Sequence, residues 1–182
     1  KSPFNSRNYP PGQHGKTRKG KRSDYGTQLD AKQKLKFYYG NMNERQFRNV
    51  YLKAIKKKGN TTENLVGILE SRLDTVVYRA KFATTVFSAR QLINHGHIRV
   101  NDKKVNIPSY LVKSEDTIEI KDKSKEMTII LGALLSKERE IPEYIQMDEK
   151  NKKAKLIRVP KFSEIPYPTI MEPNLVIEYY SR

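Results

Sequence analysis

The 182-residue sequence has no cysteine, which excludes disulfides, thiolate zinc sites and thiol nucleophiles within it. No apolar run approaches the roughly 20 residues that a membrane-spanning helix requires. Histidine is scarce: His14 stands alone, and His95 and His97 lack the carboxylate spacing that would complete a metal set, so no cofactor is called for. Acid is missing where base is densest, since residues 1–22 contain no Asp or Glu. Lys1 opens the chain without a Met, which leaves an upstream piece and any targeting signal open.

What is present is positive charge, 36 Lys+Arg against 20 Asp+Glu for a net +16. It is concentrated. Residues 1–58 hold 16 basic and 3 acidic side chains, residues 59–182 hold 20 and 17. Such a patch neutralises phosphates and releases their counterions, so a polyanion is the expected partner. A membrane surface is disfavoured, because the basic region lacks a Leu/Phe-rich amphipathic helix and interleaves its charge with Phe4, Tyr9, Tyr25, Phe37, Tyr38, Tyr39, Phe47 and Tyr51. Rings among cations suit base stacking or packing beneath phosphate contacts. For Phe37, Phe47 and Tyr51 the expectation is helical core.

An apolar content of 36% is enough to fill a core or two. Pro3, Pro10, Pro11 and three glycines make residues 1–22 an extended arm that needs a partner to order it. Ser23 or Asp24 caps a helix to about Tyr39, ended by Gly40, and a second helix runs from Glu44 to Lys57. Leu65, Ile68, Leu69, Leu73, Val76 and Val77 recur at helical spacing and predict one continuous helix. Another starts at Thr84 or Thr85 and ends at Gly96. From His97 the period becomes two: Ile98 and Val100 alternate with Arg99, and Asn101-Asp102 turns into Lys104-Val105. Tyr110–Val112 and Ile118–Ile120 read as short strands, residues 127–139 as a helix, 142–173 as loop, and Leu175–Ile177 as buried.

Gly15 to Arg22 nearly spells a phosphate-binding loop, but Arg22 stands where a Ser or Thr must hold magnesium, and no apolar strand precedes it. Direct contact of Lys16, Arg18, Lys19, Lys21 and Arg22 with nucleic-acid phosphates accounts for the same residues. Arg72-Leu73-Asp74 resembles the catalytic triplet of pseudouridine synthases, yet it lies within a helical stripe, so Asp74 is expected to be a helix-surface carboxylate. Arg72 and Arg79, seven apart, would point within roughly 20° of each other and track one RNA backbone. His95 and His97 flank a helix-to-hairpin corner, where each can donate to a phosphate oxygen or cap a carbonyl.

The strings Asn8-Tyr-Pro-Pro-Gly-Gln-His-Gly15, Ser23-Asp-Tyr-Gly26, Glu44-Arg-Gln-Phe-Arg48, Arg72-Leu-Asp74, Ala89-Arg-Gln-Leu92, His95-Gly-His-Ile98, Val105-Asn-Ile-Pro-Ser-Tyr110 and Glu178-Tyr-Tyr-Ser-Arg182 resemble the bacterial small-subunit ribosomal protein S4 family nearly end to end. The resemblance implies an α+β fold. Residues 1–71 would be a basic arm and helical domain onto which about 174–182 pack back. Residues 72–173 would be an S4 RNA-binding domain of helices on a small antiparallel sheet, with a following helix and loop-rich extension. It further implies a non-enzymatic constituent of the 30S subunit, on a cytoplasmic or organellar ribosome. Such a protein binds 16S rRNA early and organises its 5′ domain, and it meets ribosomal protein S5 in a region linked to decoding accuracy. Lys16, Arg18, Lys19 and Arg22 would lie at the mRNA entry channel. Family members begin some tens of residues upstream of Lys1, sometimes with a zinc-holding Cys cluster.

The expected rRNA-binding set is therefore Arg7, Tyr9, His14, Lys16, Arg18, Lys19, Lys21, Arg22, Lys32, Lys34, Arg45, Arg48, Arg72, Arg79, Arg90, Asn94, His95, His97, Lys103 and Lys104. Two other readings stand beside it. One is an RNA-modifying enzyme carrying the same module, for which the neutral, proline-broken residues 126–182 supply no catalytic domain; the other is a non-ribosomal RNA binder.

Overall fold

The computed structural model describes residues 5–9, 11–17, 20–136 and 138–182. Ser23 begins the ordered helices: its Oγ accepts from the Gly26 N–H at 3.2 Å and caps α1 (Asp24–Tyr38). Asn43 caps α2 (Glu44–Lys56) through the Gln46 N–H at 2.7 Å, and Asn60 caps α3 (Thr61–Glu70) through the Thr62 N–H at 2.8 Å. The C-terminal helix α7 (Pro173–Tyr180) opens on Pro173, whose missing N–H costs nothing in a first turn, and packs against α1 and α3. Together these four helices bury Leu35, Tyr39, Phe47, Tyr51, Leu65, Leu69 and Val176. Phe37 departs from expectation. It faces outward from α1, 65% exposed, while Phe47 and Tyr51 are core.

The predicted long helix is two helices. α3 ends at Glu70 and α4 (Leu73–Arg79) begins after a break at Ser71 and Arg72, with Arg72 in extended backbone. The cause is tertiary: the loop at 108–112 offers acceptors that outcompete the helical ladder. Leu73 N–H donates to the Tyr110 carbonyl at 2.8 Å, Asp74 N–H to that of Pro108 at 3.1 Å, and Val112 N–H to that of Ser71 at 2.8 Å. Residues 110–112 are therefore a single bridge, Leu111 to Arg72, and not a strand. Apolar periodicity survives the break, since both helices present their stripe to the interior.

α5 (Val86–Asn94) is capped by Thr85, and the chain then enters an antiparallel five-stranded sheet of order β2-β1-β3-β5-β4. Its strands are β1 (Ile98–Val100), β2 (Lys103–Lys104), β3 (Thr117–Ile120), β4 (Ile145–Asp148) and β5 (Lys153–Leu156). α6 (Thr128–Leu135) crosses between β3 and β4. The β4–β5 hairpin replaces loop expected between Pro142 and Pro173. Ala154 and Leu156 alternate inward while Lys153 and Lys155 reach outward, a two-residue period hidden by its lysines. Leu73, Val77, Phe82, Ile93, Ile98, Ile118, Tyr144 and Leu156 fill this second core.

Candidate nucleic-acid interface

The helix-to-hairpin corner is held by backbone bonds. At the end of α5 the Gly96 N–H donates to the Ile93 carbonyl at 2.8 Å and the His97 N–H to that of Leu92 at 3.0 Å, a Schellman closure. Gly96 has φ +74, and the aliphatic stem of Lys104 crosses directly over it, closer than any Cβ would allow. Gly96→Ala is accordingly expected to cost about 1–2 kcal/mol in denaturant unfolding through left-handed strain, and to displace the Lys104 ammonium. Unchanged stability would contradict that account.

Asn94, His95, Lys103 and Lys104 are exposed around this corner, and neither lysine takes part in an ion pair among the described residues. His97 is half-buried, with Nδ1 2.8 Å from Ser124 Oγ. Burial, then the neighbouring charges of His95 and Lys121, hold its pKa below the ordinary 6.5. Near neutral pH the ring is thus uncharged, with one donor and one acceptor nitrogen. Lys121 belongs to the same surface and is absent from the expected set. β1–β3 pairing of Ile98 with Ile120 brings it beside His97, where the Lys121 N–H donates to the His97 carbonyl at 2.8 Å.

Four cations expected at the RNA are spent inside the protein. Lys32 is 3% exposed, with Nζ 2.9 Å from Glu44 Oε1 and 4.5 Å from the centre of the Tyr179 ring. Arg72 is buried and donates twice to Asp74, from Nε at 3.0 Å and a terminal nitrogen at 2.7 Å. Arg79 is buried and forks onto Glu70 at 3.1 and 2.9 Å. Burial alone would lower its pKa, but the Glu70 carboxylate more than offsets this and raises it. Arg90, partly buried, joins Asp74 at 2.9 Å and donates to the carbonyls of Tyr39 at 2.9 Å and of Gly40. It thereby ties α5 to the end of α1. Arg72 and Arg79 do not share an RNA-facing side, because Arg72 lies outside the helical turn. Asp74, expected on a helix surface, is fully buried between Arg72 and Arg90 and has no room to act as a nucleophile.

On the other side, Lys34, Arg45 and Arg48 are exposed on α1 and α2, and Lys53, Lys56, Lys57 and Lys58 extend the basic face of α2. The last four lie outside the expected set and count there only toward net charge; their clustering toward one helix end is the signal in the sequence. In the arm, Arg7, His14, Lys16, Lys21 and Arg22 are exposed, and the half-buried Tyr9 ring carries Arg7 at 5.9 Å and Lys16 at 5.2 Å. Arg22 pairs with Asp30. Arg18 and Lys19 lie outside the described residues.

Residues 1–70 match the family described as Ribosomal protein S4/S9 N-terminal domain, and residues 71–118 match the S4 domain. A protein of Pelagibacter ubique (strain HTCC1062) named "Small ribosomal subunit protein uS4" is 74% identical over 182 residues, all of this chain and 89% of that protein. The chain belongs to the uS4 family. Proteins of the same name from Granulibacter bethesdensis and Gluconacetobacter diazotrophicus are each 59% identical over 182 residues, covering 89% of their own lengths. These uS4 relatives are named as ribosomal proteins and not as enzymes. The S4 domain match takes in α4, α5, β1 and β2, and so contains Asn94, His95, His97, Lys103 and Lys104.

Proposed function

We propose that this uS4 family member is a constituent of the small ribosomal subunit that binds 16S rRNA through two surfaces. One is the α5–β2 corner of Asn94, His95, His97, Lys103, Lys104 and Lys121; the other is the arm with the outer faces of α1 and α2. The observation that supports this reading is the corner: Lys103 and Lys104, with no ion pair among the described residues, stand on β2 beside the Schellman-closed turn at Gly96, inside the residues that match the S4 domain. A folded RNA junction presents phosphates in fixed geometry, which a rigid corner matches and a free tail does not. Residues 1–71 with 174–182, and residues 72–173, act as two units gripping one RNA.

The finer roles belong to the same proposal, and the family resemblance supports them. Early binding to the 5′ domain nucleates its assembly; Lys16, Arg18, Lys19 and Arg22 lie toward the mRNA entry channel; contact with ribosomal protein S5 influences accuracy. Footprinting of the purified chain on 16S rRNA tests the reading. Protection focused on one junction of the 5′ domain is expected, with stoichiometric recovery of the chain on salt-washed small subunits. Protection scattered over unrelated RNAs, or recovery away from subunits, would favour a free RNA binder instead.

A further inference from the structure

An apolar groove of about 360 Å3 lies between α1, the start of α5 and residues 169–171, apart from the corner. Its flanking rings point outward at a cost, since Phe37 is 65% and Phe87 55% exposed. Thr84, Thr85 and Thr169 line it together with Tyr38, Tyr78 and Lys34, the Thr85 hydroxyl oxygen also accepting from the Ser88 N–H at 3.1 Å, and no acidic side chain among the described residues lines it. Lys34 is held there by donating to the Ile170 carbonyl at 3.2 Å. The volume is at the small end of the ~300–1,000 Å3 typical of ligand clefts, which suits one flat group and not a helix.

We infer that this groove takes one unstacked nucleotide of the bound RNA, its base against Phe37 and Phe87 and its phosphate toward Lys34 and the first turn of α5. The inference rests on the ribosomal-RNA reading and adds a base-stacking subsite to it. Charge decides the occupant: the groove opens between α1, within the strongly cationic first 58 residues, and the amide-bearing end of a nine-residue helix. The Val86 and Phe87 N–H groups have no intrahelical acceptor, and that end of the helix carries partial positive charge. An acidic protein segment could answer the charge, but exposed rings beside hydroxyls and amide donors match the π-face and polar edge of a base. α5 then carries an RNA-directed feature at each end, about 13 Å apart at 1.5 Å per residue.

The test is affinity for a 16S rRNA 5′-domain transcript, with chemical probing of base reactivity in the complex. Phe37→Ala/Phe87→Ala is expected to bind about tenfold or more weakly with an unchanged salt slope, and one unpaired nucleotide protected by the unmodified chain should become reactive. Phe37→Tyr/Phe87→Tyr should restore both. Thr84→Glu, which removes no ring and sets a carboxylate at the rim, should weaken binding in the same way and guards against misfolding of the alanine pair. Unchanged affinity and reactivity in the alanine pair and in Thr84→Glu would overturn the subsite. So would intact RNA binding with lost capture of a neighbouring ribosomal protein, which would make the groove a protein dock. Absence of focused protection by the unmodified chain would instead fell the ribosomal reading, and the groove with it.

Discussion

Glu70→Ala is expected to destabilise the protein by about 3–5 kcal/mol, the range found when one partner of a buried ion pair is removed. The Glu70 side chain is inaccessible to solvent and accepts four hydrogen bonds. Oε1 takes the Tyr39 hydroxyl at 2.7 Å and an Arg79 terminal nitrogen at 2.9 Å; Oε2 takes Arg79 Nε at 3.1 Å and the Tyr144 hydroxyl at 2.9 Å. These partners come from the end of α1, the end of α4 and the approach to β4, so one carboxylate joins the two cores. Burial, then the charge of Glu70, pushes the Tyr39 and Tyr144 phenols well above their ordinary 10.0, which keeps both protonated as donors. Alanine leaves the Arg79 guanidinium without its carboxylate and the Tyr144 hydroxyl without its acceptor, while the Tyr39 hydroxyl keeps that of Tyr167 at 2.7 Å. Urea unfolding measures the loss. Glu70→Ala/Arg79→Met should recover a large part of it, because replacing both members by apolar groups removes the uncompensated charge. A single-mutant loss below about 1 kcal/mol would mean that water reaches the cluster and solvates Arg79.

Charge reversal at Lys103 and Lys104 should have the largest effect on RNA. If each ammonium neutralises one phosphate, Lys103→Glu/Lys104→Glu lowers the slope of log affinity against log salt by about 2. It should also weaken 5′-domain binding by on the order of a hundredfold at low salt, as reversal adds repulsion to the lost contacts. Both side chains are exposed on the two-residue β2, so unfolding should be little changed. Lys150→Glu/Lys161→Glu, the same charge change at exposed positions away from the corner, is the comparison. Equal losses from the two pairs would mean that binding senses net charge alone and that the corner is no surface of its own.

Buried carboxylates separate the cations that face solvent from those that do not. Arg72, Arg79 and Arg90 look alike as letters to Lys103 and Lys104: basic residues near the predicted module. Their roles diverge because Glu70 and Asp74 are buried beside the arginines: Arg72 and Arg79 each fork onto one carboxylate and Arg90 adds a single bond to Asp74, so these guanidiniums are already engaged inside the protein. Lys32 is withdrawn in the same way by Glu44, which Tyr180 also contacts through its hydroxyl at 2.6 Å. Arg72 and Asp74 are only 2 residues apart, but Glu70 lies 9 residues from Arg79, Asp74 16 from Arg90 and Glu44 12 from Lys32, each of these three pairs joining elements whose mutual packing no local pattern reports. Phe37 and Phe47 divide similarly: Phe47 is buried in the first core with its ring 6.2 Å from that of Tyr180 on α7, while Phe37 on α1 faces outward.

Capping residues, glycine stops, the switch from helical to alternating period at His97 and the concentration of charge in the first third were legible in the amino acids alone. Each is local: a side chain meets its own backbone, or charges add without regard to shape. Tertiary structure alone decided the break at Ser71–Arg72, the hairpin of Ile145–Leu156 and which cations reach solvent. Those outcomes depend on competition between partners distant in sequence for the same amide, the same carboxylate or the same patch of apolar surface, and burial strengthens whichever partner arrives.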